Sequence, residues 1–94
     1  MAMNRENAET LALEALAWIA GNDELLPVFL GATGADRDAL RAGAGDPGFL
    51  GSVLDFLLMD DAWIVAFCDA AGLSYEAPLS ARAALPGANL ADWA

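Results

Sequence analysis

The sequence predicts an all-α fold, a compact bundle of five or six short helices. Three observations carry that prediction. Alanine and leucine supply most of a 57% hydrophobic fraction, apolar residues recur at helical spacing, and capping acids and glycines punctuate the chain at short-helix intervals. Alanine and straight-chain residues lose little rotamer freedom on a helix, whereas the scarce β-branched residues are those that fill strands. Ninety-four residues amount to one domain, 1–94, with an ordered core expected at about 6–86.

In "NAETLALEALAWIAG", Leu11, Ala12, Ala15, Leu16, Trp18 and Ile19 fall mostly on one helical face, and Gly21 is a stop. A first helix is expected over about 6–20. "NDELLPVFLGATG" follows, with Asn22 or Asp23 as N-cap and Gly34 as stop. Pro27 lacks an N–H and should distort that helix's first turn. "ADRDALRAG" is a short helix capped by Asp36, ended by the break "GAG".

"DPGFLGSVLDFLLMDD" places Asp46 at an N-cap and Pro47 at the first helical position, where a fixed φ suits a helix start. Phe49, Leu50, Val53, Leu54, Leu57 and Leu58 align as a broad stripe, with Asp55 opposite and Phe56 and Met59 on the flank. A central helix over 47–59 follows, with those of 6–20 and 61–71 packed on it. Asp60, Asp61 or both cap the next helix, which runs to Gly72. The last helix begins at Ser74, or at Pro78 if proline takes the first position. The tail "ANLADWA" either docks through Leu90 and Trp93 or frays.

A shift of 38 residues superposes Leu16 on Leu54, Trp18 on Phe56, Asp23 on Asp61, Phe29 on Phe67 and Gly34 on Gly72. It raises a second reading of the bundle, as two pseudo-repeated helical halves. Such a repeat requires residues 11–20 and 49–58 to be in mutual contact.

Four arginines face fourteen carboxylates, a net charge of −10. No cationic stripe can be built, so nucleic acid and anionic membrane surfaces are poor partners. With no histidine and no lysine, imidazole bases, histidine metal ligands, Schiff bases and a P-loop lysine are all excluded. The acids match no calcium-loop spacing. The expectation is therefore no enzyme, no catalytic residue, no metal and no cofactor. Cys68, the one cysteine, reads as a small buried hydrophobe. No secretory signal or membrane-length apolar run is visible, and a cytoplasmic location is expected.

What remains is an interaction module that binds an unknown protein, either a basic partner or a second copy in a homodimer. Its candidate partner contacts are Trp93, Phe56 and Met59. The alternative is a degenerate helix-turn-helix regulator, because "VAFCDAAGLSYEAPLSARAAL" has that outline. Against it, Pro78 falls where the recognition helix needs a packed aliphatic, and Arg82 is that helix's lone cation.

"LALEALAWIAGNDELLPVFLGATG", "DPGFLGSVLDFLLMDDAWIVAFCDAAGLS" and "ARAALPG" together resemble a family of small, acidic, Ala/Leu-rich alphaproteobacterial proteins classed only as a domain of unknown function. The resemblance spans about residues 8–87. It implies a compact all-helical bacterial cytosolic protein and brings no substrate, cofactor or catalytic residue with it.

Overall fold

The computed structural model describes residues 3–85. Six helices follow one another in the order α1 (Arg5–Ala20), α2 (Leu25–Thr33), α3 (Arg37–Gly43), α4 (Pro47–Leu57), α5 (Asp61–Ala71) and α6 (Ala77–Ala83). They form an all-α bundle, with no strand among the described residues. Leu90 and Trp93, expected to dock or fray, lie outside the described residues.

Short polar side chains start most of these helices by satisfying amides that have no intrahelical acceptor. Asn4 caps α1 by accepting from the Asn7 N–H at 2.7 Å, so that helix starts at Arg5, ahead of the expected position. Asp36 accepts from Ala39 at 2.8 Å, Asp46 from Gly48 at 3.0 Å, and Asp60 from Ala62 at 2.8 Å. Of the aspartate pair, then, Asp60 is the cap of α5 and Asp61 lies in its first turn.

Pro27 has the effect expected of it. Asn22 accepts from the Glu24 and Leu25 amides at 3.0 and 3.1 Å, but the turn it opens becomes regular helix only at Leu25. Gly34 and Gly72 end α2 and α5 in the left-handed conformation, both at φ 71°, where an L side chain is strained. Two further boundaries differ from expectation. Helix α4 stops at Leu57, beyond which the Met59 and Asp60 amides turn back only three residues, to the Phe56 and Leu57 carbonyls. Helix α6 starts at Ala77, one residue before Pro78, after a turn in which the Ala77 amide donates to the Ser74 carbonyl.

The most extensive helix contact is between α1 and α4. The stretches that the 38-residue shift superposes are thus in mutual contact. The small buried side chains Ala8, Ala12 and Ala15 come from α1, beside its larger Leu11, Leu16 and Ile19, and α4 buries Leu50, Val53, Leu54 and Leu57. Small against large lets the two axes approach without voids. The expected 61–71 helix does pack on α4, where Trp63 stacks on Phe56, and α6 adds a more extensive contact with both α1 and α4 that was not expected.

Candidate functional site

A cleft of about 540 Å³ opens between α2 and α4, lined by Ala32, Thr33, Phe49, Ser52, Asp55, Phe56 and Met59. Its floor is aromatic. Phe49 meets Phe29 edge-on at 6.2 Å between ring centroids, Phe29 meets Phe56 edge-on at 5.1 Å, and Phe56 stacks on Trp63 at 4.7 Å. Such pairs add about 0.5–1.5 kcal/mol each beyond their buried area. The floor is therefore rigid before anything binds.

Local sequence places these rings. The early start of α4 at Pro47 brings Phe49 back over Gly43, and a Cβ on Gly43 would collide with the Phe49 ring. Met59 lies just beyond the end of α4, held by the bond from its amide to the Phe56 carbonyl at 3.1 Å. It is 73% exposed at the rim of the cleft, while Phe56 is 3% exposed and belongs to the floor. The structure thus brings two of the three expected contact residues to one cleft, in different roles. Trp93 lies outside the described residues.

The rim carries an ion pair that the sequence reading did not anticipate. Arg82 of α6 grips Asp55 of α4 with two hydrogen bonds, Nε to Oδ1 at 2.6 Å and Nη2 to Oδ2 at 3.1 Å. The Arg82 side chain is only 12% exposed. A bidentate pair of this kind fixes orientation as well as adding energy. It also turns the one arginine of the helix-turn-helix outline inward, onto the protein's own carboxylate. The signal for it was a lone acid on the otherwise apolar α4 and a lone cation on α6, but 27 residues separate them.

A second recess, of about 620 Å³, lies where α1 turns into α2, against Ala17, Trp18, Gly21, Asn22, Asp23 and Glu24. At the far end of α5, Tyr75 donates to the Asp69 carboxylate at 2.8 Å, which raises the Tyr75 pKa above its ordinary 10.0. Cys68 is fully buried, its thiol donating to the Ser74 carbonyl at 3.4 Å. Burial, then the neighbouring Asp69 charge, push that thiol's pKa up, so it is a poor nucleophile.

Among the described residues no three His, Cys, Asp or Glu side chains gather as a metal site. Among them, too, no helix is long and apolar enough to cross a membrane. Fold and surface together define a small all-α protein with an aromatic-floored cleft. The chain belongs to the DUF3572 family, described as a protein of unknown function, whose model matches residues 5–88. No curated protein and no solved structure matches the chain.

Proposed function

We propose that this is a non-enzymatic, cytoplasmic protein-interaction module whose α2–α4 cleft receives apolar side chains of a protein partner. One observation carries the reading: Met59, 73% exposed, rims a mostly apolar cleft with buried aromatic rings beneath it. Methionine adapts its unbranched side chain to many shapes and is favoured at binding surfaces for that reason. A rigid aromatic floor under a flexible rim suits an anchor-in-pocket contact.

The residue inventory supports the non-enzymatic part, since a chain without histidine or lysine has only carboxylates for acid-base work. Net charge of −10 favours a basic protein over nucleic acid, and Arg82 is committed to Asp55.

The test is affinity capture from nuclease-treated native cytosol with the wild-type chain and Met59→Glu as paired baits. A protein retained by wild type and lost by the variant is the expected result. Identical capture by both baits contradicts the cleft as the site. Light scattering on the purified chain covers self-association, which a clean monomer at high concentration would remove.

A further inference from the structure

The 38-residue shift relates not only positions but contacts. Trp18 packs on Phe67 at 5.8 Å, and Phe56 packs on Phe29 at 5.1 Å. Trp18 and Phe56 are one superposed pair, and Phe29 and Phe67 another. The first helix of each half therefore meets the second helix of the other half. The α1–α5 and α2–α4 contacts are likewise reciprocal. Asp60 caps α5 and Asn22 opens the turn that leads into the superposed α2, and Gly34 and Gly72 end the two helices at the same φ of 71°. Exchange of contacts between two halves is what a twofold axis between α1 and α4 produces.

Symmetry breaks at the third helix of each half. α6 packs on both α1 and α4, and its Arg82 clasps Asp55. α3, its counterpart, packs on α4 and makes no comparable contact with α1. The consequence is visible on the two long helices. Gly51 is buried and Asp55 half-buried on α4, while their superposed partners on α1, Leu13 and Ala17, are exposed, Leu13 by 41%. The α1–α2 recess, whose Ala17, Trp18 and Gly21 superpose on the cleft residues Asp55, Phe56 and Met59, borders this flank at Ala17, and the ionisable residues on it and next to Leu13 are all acids: Glu14, Asp23 and Glu24.

We infer that the exposed α1 flank at Leu13 and Ala17, the counterpart of the seat that α6 fills, is a docking seat for a basic amphipathic helix of a protein partner, with the acids of the bordering recess at its rim. The occupant's chemistry follows from α6 itself. Small buried residues, Pro78 and Ala81, lie against the bundle, and an arginine reaches a carboxylate beyond. On the α1 side Ala17 stands where Asp55 would, so the carboxylates come from the rim and the occupant needs cationic ends. Helix-in-groove recognition reads such anchors at i, i+3 and i+4. The seat is separate from the α2–α4 cleft and does not depend on its proposed role.

A suitable probe is a peptide of the residue 75–85 sequence with lysine replacing Tyr75 and Glu76, titrated at millimolar concentration into the labelled full chain and followed by amide NMR. The expected result is saturable shifts at Leu13, Glu14, Ala17, the Trp18 indole and Gly21 to Glu24. Those shifts should be lost in Ala17→Arg, an exposed change that leaves the core untouched and repels the cationic probe, and retained in Met59→Glu. Absence of shifts overturns the inference. So do shifts centred on Gly51 and the Arg82–Asp55 pair, which would mean competition with α6, and so does indifference to Ala17→Arg. Loss of the shifts in Met59→Glu would assign them to the cleft and overturn it equally.

Discussion

The two halves of the molecule begin alike and end differently. Residues 5–34 and 43–72 share left-handed stops and an exchanged pair of aromatic contacts. The short helices that follow are not. α6 is clamped by a largely buried arginine against Asp55, whereas α3 is set by Gly43 under the Phe49 ring and leaves α1 open. The lesson is that similar helix contacts can carry two different surfaces. One side is covered by the chain itself and the other is presented to solvent.

If the cores are equivalent, the largest effects should be matched. Phe29→Ala and Phe67→Ala, at rings 0% and 1% exposed, should each destabilise the fold by about 3–5 kcal/mol in urea unfolding. A large loss in only one would break the equivalence. The clamp comes next and should be one-sided. Asp55→Asn should cost about 1–2 kcal/mol by weakening its paired hydrogen bonds, with little dependence on salt. Its opposite is the exposed Arg5–Glu9 pair at 3.2 Å on α1, where Glu9→Ala should cost only a few tenths of a kcal/mol, or about nothing at high salt.

The stops sharpen the comparison further. Gly34→Ala and Gly72→Ala should each cost about 1 kcal/mol, because both force a Cβ into the left-handed region with open space around it. Equal losses support equivalent turns.

The smallest effect lies at the α5–α6 corner. Tyr75 is the chain's one tyrosine, and its hydroxyl bonds the Asp69 carboxylate. A raised folded pKa means that the stabilisation is fully present below the ordinary value of 10.0 and is lost as pH rises through the folded value. Tyrosinate absorbance should therefore develop above pH 10, and Asp69→Asn should move it back down. An unshifted wild-type titration would remove the bond.

Much of this was legible in the sequence because it is local. Asp36, Asp46 and Asp60 cap within three residues of themselves, Gly34 and Gly72 end helices alone, and the stripe on α4 is a matter of spacing. The start of α6 was less legible, since both Ser74 and Pro78 are ordinary helix openers and the turn between them was settled by packing. At the candidate site, Phe56 and Met59 looked alike as flank residues. Only the course of α2 shows that one is floor and the other rim. The Arg82–Asp55 clamp left only a lone acid and a lone cation to be read, because nothing local links residues 27 positions apart.

The reciprocity of the halves is tested most directly by two double-mutant cycles, one between Trp18 and Phe67 and one between Phe56 and Phe29. Alanine substitutions, singly and together, should give a favourable coupling of about 0.5–1.5 kcal/mol in each cycle. Coupling in one cycle and none in the other would contradict the twofold arrangement on which the account rests.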